Sequence, residues 1–171
     1  NEHQTMKLNK EIILSIFLLF SCSNETLDFR EATAKDILST VATQKGEKAV
    51  LVNYWATWCV PCIEEFPMIV ELSKEYSEQT KVFFVSADFL EHKDKAKEYL
   101  KRQGVEGISF IKNEKDDDFI NGIHKDWSGA LPFTIVYDKN SGNVVDFWEA
   151  KKPESRFLEA IKVAINEGDK L

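Results

Sequence analysis

Two rhythms of hydrophobic and polar positions run along this chain, and they mark out its strands and helices. Ala49 to Trp55 is an apolar run rich in valine and aromatic residues. A strand buried on both faces reads this way. Lys81 to Ala87, through Val82-Phe83-Phe84-Val85, is a second such run, and Phe133 to Tyr137 is a third. Between the first two, Ile63, Phe66, Pro67 and Val70 recur at the i, i+3, i+4, i+7 spacing of a helix face, within a segment ending at Tyr76. Pro67 has no N–H to donate to the carbonyl four residues back, so a kink is expected there.

The remaining elements are shorter. Ala34 to Thr43 reads as a helix with Thr33 as its cap and Ile37, Leu38 and Val41 on one face. Ala96 to Lys101 reads as a polar helix that Gly104 stops. Ile108 to Ile111 is a short strand. The charge run Lys112 to Asp118 lacks the glycine-bearing loop and distant glutamate of a calcium site. It is read instead as charging the start of a helix from Asp118 to Trp127, since acids are favoured at helix N-termini. Phe133–Tyr137 and Val144–Trp148, joined by the turn 138–143, form an antiparallel hairpin. A closing helix from about Glu154 to Asn166 turns Phe157, Leu158, Ile161 and Ile165 inward. Strand–helix–strand followed by hairpin–helix predicts an α/β domain with a central mixed sheet flanked by helices. A helical insertion precedes the third buried strand.

Composition narrows the class. The chain has 171 residues, 43% of them hydrophobic, which suits one domain with extra sequence at its start. The net charge of −7 argues against nucleic acid, because phosphate binding needs clustered Lys and Arg. Residues 1–5 are read as lying upstream of a start at Met6. From there Lys7 and Lys10 lead into the apolar stretch Ile12 to Phe20, about nine residues long. That fits a secretory signal and is too short to span a bilayer. The stretch ends Leu19-Phe20-Ser21-Cys22, which resembles the lipobox of bacterial lipoproteins, with Cys22 the lipidated first mature residue. The expected organisation is therefore an upstream and signal segment over 1–21, a polar tether over 22–31 and one domain over 32–171. Acyl chains on Cys22 would hold the domain at an extracytoplasmic membrane face without spanning it. Lipidation also accounts for the odd member of three cysteines.

The other two cysteines carry the chemistry. Trp58-Cys59-Val60-Pro61-Cys62 sits between the first buried strand and the helix that follows. Cys59 is thus expected at a helix N-terminus, where backbone N–H groups and the helix dipole favour a thiolate. Cys62, one turn on, is placed to attack a mixed disulfide formed by Cys59. A zinc site would need a second ligand pair, but only Cys22 and the scattered His3, His92 and His124 remain. A staple across two intervening residues would restrict the unfolded chain little. Thiol–disulfide exchange is the reading left, with no cofactor and no metal.

The segment Val52 to Cys62 resembles the active site of the exported, membrane-tethered TlpA/ResA thioredoxin-like oxidoreductases. The resemblance covers about residues 31 to 171 and implies the thioredoxin-like fold. It further implies that Pro132 is a cis-proline facing the cysteine pair and presenting the Leu131 backbone to an extended peptide. Trp58 would complete that platform. Glu65, in Cys-x-x-Cys-x-x-Glu-x-Pro, would lie near the cysteines and affect their ionisation. Asn53 stands where cytosolic thioredoxins carry a buried aspartate, so assisted proton transfer at Cys62 falls to Glu65 or a water.

These residues imply a disulfide reductase that acts on protein disulfides as a monomer. A membrane thiol-reducing donor would resupply its electrons, and a role in cytochrome c maturation is implied by the resemblance. Two alternatives stand beside it. A thiol peroxidase on the same fold would consume hydrogen peroxide. A non-catalytic peptide-binding module would keep its biological activity in a Cys59→Ala variant.

Overall fold

The computed structural model describes residues 26–166; the signal-like stretch and Cys22 lie outside the described residues. Six strands form one mixed sheet, and the apolar runs occupy its centre. In chain order they are β1 (Asp28–Ala32), β2 (Ala49–Trp55), β3 (Thr80–Ser86), β4 (Ile108–Lys112), β5 (Phe133–Tyr137) and β6 (Val144–Glu149). Their order across the sheet is β1-β4-β3-β2-β5-β6. The first four in that order run parallel, while β5 and β6 are antiparallel to their neighbours. Every residue of β2 is buried, which is why that strand shows no alternation.

The helices are α1 (Ala34–Ala42), α2 (Val60–Glu75), α3 (Lys93–Arg102, entered through a 3₁₀ turn at Leu90–His92), α4 (Asp116–Ile123) and α5 (Glu154–Asn166). One core layer gathers Leu51, Trp55, Phe66, Ile69, Phe84, Leu100 and Phe157, contributed by β2, β3, α2, α3 and α5. The opposite layer gathers Ile37, Val52, Tyr54, Phe83, Phe119 and Phe133, with α1 and α4 supplying its helical side. The expected central mixed sheet flanked by helices is what the chain forms.

α1 carries its expected cap in full. The Thr33 hydroxyl accepts from the Asp36 N–H at 3.3 Å, and the Asp36 carboxylate accepts from the Thr33 N–H at 2.9 Å. Two otherwise unpartnered donors are satisfied reciprocally. Thr33→Ala is expected to cost about 1 kcal/mol, seen as a lower urea midpoint at unchanged slope.

Four expectations need correction. The tether assigned to 22–31 overlaps a strand, since Asp28–Ala32 pairs in parallel with β4 over its whole length. Only Phe29 and Ala32 of that strand are buried, and it is an edge strand, so its sequence lacks a clear apolar signature. In α2 the inward stripe is Cys62, Glu65, Phe66, Ile69, Val70 and Leu72, whereas Pro67 is exposed and the helix runs on through it. In α5, Phe157 and Ile161 are fully buried, but Leu158 and Ile165 only partly; Ala160 and Ala164 complete the face. Finally, α4 begins at Asp116, so that Asp116, Asp117 and Asp118 all lie in its first turn. It ends at Ile123 because His124 is extended (φ −156°, ψ 127°). Trp127, assigned to that helix, instead stacks on Phe133 at 4.7 Å and 10° between planes. Aromatic burial outweighs another helical turn here.

Candidate active site

β2 ends at Trp55 and delivers the chain to α2 through a short turn in which the Cys59 N–H donates to the Ala56 carbonyl at 3.1 Å. Cys59 caps α2, and its Sγ accepts from the Cys62 N–H at 3.3 Å. Pro61 occupies the first turn of the helix, where a missing N–H does no harm. Cys59 and Cys62 are joined by a disulfide. Both cysteines are buried, Cys59 5% and Cys62 1% exposed, while the flanking Trp58 and Val60 project into solvent. On reduction, the backbone N–H already aimed at the Cys59 sulfur and the dipole of a sixteen-residue helix favour its thiolate.

A buried carboxylate fixes the turn that carries Trp58. Asp88 is fully buried and accepts from the Thr57 N–H at 2.9 Å, the Thr57 hydroxyl at 2.7 Å and the Ser86 hydroxyl at 2.7 Å. Sequence reasoning missed Asp88 and Thr57. The signal was present, as a polar Ser86-Ala87-Asp88 step directly after a buried strand has to find its partners inside the protein.

Glu65 lies one turn beyond Cys62 on the buried face of α2, 2% exposed. Its carboxyl accepts from the Asn53 side-chain amide at 3.3 Å and from the Lys152 backbone N–H at 3.2 Å. Burial pushes its pKa up to about 7, against the smaller opposing pull of those two hydrogen bonds and of Lys151. Asn53 also donates to the Thr134 hydroxyl at 3.1 Å, so one amide links α2 to the second residue of β5. Its neighbour Glu64 is exposed and pairs with Lys151 at 2.7 Å.

The Leu131–Pro132 peptide bond is cis. The Pro132 carbonyl accepts from the Ala150 N–H at 2.9 Å, and the Trp127 indole N–H donates to the Ala130 carbonyl at 3.0 Å. These contacts fix the loop before β5. Leu131 and Trp58 line a common cleft, so two of the three residues expected to form a platform with Pro132 lie together. Among the described residues, no group of three or more His, Cys, Asp or Glu is arranged to hold a metal ion.

A dithiol that opens and closes at a helix N-terminus exchanges disulfides; the chain is a thiol–disulfide oxidoreductase. The family model for thioredoxin matches residues 29–128, and the chain belongs to the thioredoxin family. It is 27% identical to the thiol-disulfide oxidoreductase ResA of Geobacillus kaustophilus, across 94% of this chain and 98% of that protein. It is 40% identical to the thioredoxin-like protein YneN of Bacillus subtilis over 68 residues, a match spanning 40% of this chain and only 39% of that protein. Among solved structures, it resembles a thiol:disulfide interchange protein of the thioredoxin family from Chlorobium tepidum. There the TM-score is 0.60 and the identity 26%, over 72% of this chain and 83% of the other. The thioredoxin-like fold expected from the active-site segment is thereby established.

Proposed function

We propose that this oxidoreductase works as an extracytoplasmic disulfide reductase held at a membrane by lipid on Cys22. The observation that carries the direction is Glu65. A buried carboxyl one turn from Cys62 disfavours a second negative charge nearby, so it withholds stabilisation from the thiolate form. An oxidant stabilises its reduced dithiol; a reductant does not. Val60 and Pro61, between the cysteines, add no cation that would reverse this.

The Cys59 thiolate attacks one sulfur of the substrate disulfide, forming a mixed disulfide and expelling the other sulfur as a thiolate. Cys62 loses its proton to Glu65 or a water and attacks the Cys59 sulfur. The second substrate thiolate leaves and the Cys59–Cys62 disulfide closes. Two electrons and two protons pass to the substrate, which departs as two thiols. With a pKa of about 7, Glu65 holds and releases a proton at neutral pH. Trp58, Leu131 and Pro132 form the edge along which an extended substrate peptide lies. Each cycle consumes the dithiol, so a membrane thiol-reducing donor must restore it. Apocytochrome c is the substrate that the resemblance to the TlpA/ResA proteins suggests.

Equilibration of the purified domain with dithiol buffers at pH 7 tests the direction. A potential near or below about −250 mV is expected. A value between about −120 and −180 mV would reverse it, pointing to disulfide formation or shuffling. Rapid consumption of hydrogen peroxide by the reduced protein would favour a thiol peroxidase instead.

A further inference from the structure

The turn between β2 and α2 is gripped from a second strand. The Cys59 N–H closes it onto the Ala56 carbonyl, with Thr57 and Trp58 between them. The segment after β3 holds it at three points. The Ala87 N–H donates to the Trp55 carbonyl at 2.8 Å. One carboxylate oxygen of Asp88 accepts from the Thr57 N–H at 2.9 Å, and the other from the Thr57 hydroxyl at 2.7 Å. Asp88 is itself fixed by Ser86, whose hydroxyl donates to the carboxylate at 2.7 Å and accepts from the Asp88 N–H at 3.1 Å. Ser86 and Asp88 are both fully buried. A carboxylate taken out of water is costly unless it is well supplied with donors, and two of these three come from the active-site turn.

We propose that Asp88 and the Thr57 hydroxyl are positioning residues of the redox pair: they keep Cys59 within bonding reach of Cys62 when the disulfide is open, and so make the pair a stronger reductant. The inference rests on the exchange chemistry proposed above and adds what sets its driving force. In the oxidised protein the Cys59–Cys62 bond itself restrains the turn. Once that bond is reduced, the restraint left is the turn's own hydrogen bond and the grip of the segment after β3. A turn already held in place loses little freedom when the sulfurs rejoin, so the effective concentration of one thiol at the other is high. A dithiol that closes readily gives up its electrons readily.

The test is the equilibrium of the purified protein with buffers of reduced and oxidised glutathione at pH 7. The protein disulfide takes two electrons and two protons from two glutathione thiols, which leave as one glutathione disulfide. Thiol alkylation followed by intact mass counts the reduced fraction. Thr57→Val keeps the shape of the side chain and removes the hydroxyl. It is expected to shift the equilibrium about tenfold toward the reduced dithiol, a potential about 30 mV less negative. Thr57→Ser keeps the hydroxyl and is expected to stay within about twofold of the native equilibrium. Thr33→Ala, which weakens the fold at the cap of α1, is expected to leave the equilibrium where it is. A Thr57→Val equilibrium within about twofold of the native one would overturn the assignment while leaving the exchange chemistry standing. Equal shifts in the valine and serine variants, or a comparable shift in Thr33→Ala, would do the same. Thr57→Ala also lacks the hydroxyl and gives the same reading should the valine variant not fold. A native disulfide that glutathione opens at no ratio would remove the exchange reading and the inference with it.

Discussion

Cys59→Ser is expected to lower the rate of protein-disulfide reduction by at least about a thousandfold, to the background of the assay. The serine hydroxyl is of similar shape and can still accept the Cys62 N–H, so the helix cap is retained. A hydroxyl does not ionise near pH 7 even at a helix N-terminus, and an oxygen cannot enter the sulfur–sulfur exchange. The complementary variant, Cys62→Ser, keeps the attacking thiolate and removes the resolving one. Incubated with a disulfide substrate, it is expected to accumulate a one-to-one covalent adduct visible by intact mass. The assignment of roles fails if Cys59→Ser retains turnover or traps the adduct in place of Cys62→Ser.

Glu65→Gln is expected to remove a pH dependence of stability worth about 3 kcal/mol in the oxidised protein. Burial raises the Glu65 carboxyl from 4.5 to about 7 in the folded protein. Below about pH 4.5 the group is protonated folded and unfolded, and its neutral form is buried at no electrostatic cost. Between those two values the unfolded chain gives up the proton first, so the folded state loses ground steadily as pH rises. Above about pH 7 both states are ionised and the full deficit is in place. Glutamine bears no such charge. Urea unfolding at pH 5 and pH 8.5 should show the native protein losing stability relative to the variant by roughly the stated amount. Equal pH slopes for the two proteins would show that Glu65 is not held at a raised pKa. In the reduced protein, the same substitution removes a negative charge beside the thiolates and is expected to lower their pKa values.

The sequence carried the architecture unevenly. β2, β3 and β5 were legible because they are buried on both faces, and an uninterrupted apolar run leaves little else they could be. β1 was not, since only Phe29 and Ala32 of it reach the core and its pairing with β4 joins residues 80 apart in the chain (Asp28 with Ile108). No local pattern encodes such a contact. Pro67 was misplaced on the inner stripe of α2 because an apolar stripe of four residues, Ile63 to Val70, tolerates a small rotation of the helix, and only packing against β2 and β3 selects the phase that buries Ile69. α4 shows the same limit: the acids that favour a first turn were recognised, but that the helix stops at Ile123 goes with Trp127 leaving it to stack on Phe133.

At the site the division is sharper. The sequence by itself determined the chemistry. Two cysteines one helical turn apart, after a buried strand and before a helix, are already a dithiol at the positive end of a dipole, and every element of that statement is local. The environment of that dithiol was decided by tertiary structure alone. Glu65 titrates near neutrality because residues of β2 and of the segment before α5 close over it. Asp88 holds the Trp58 turn from the far end of β3. The cleft beside the nucleophile is assembled from the active-site turn, the segment after β3, α4 and the loop before β5. Desolvation and cavity shape are properties of groups brought together from distant points of the chain, and they come into being only when the sheet closes.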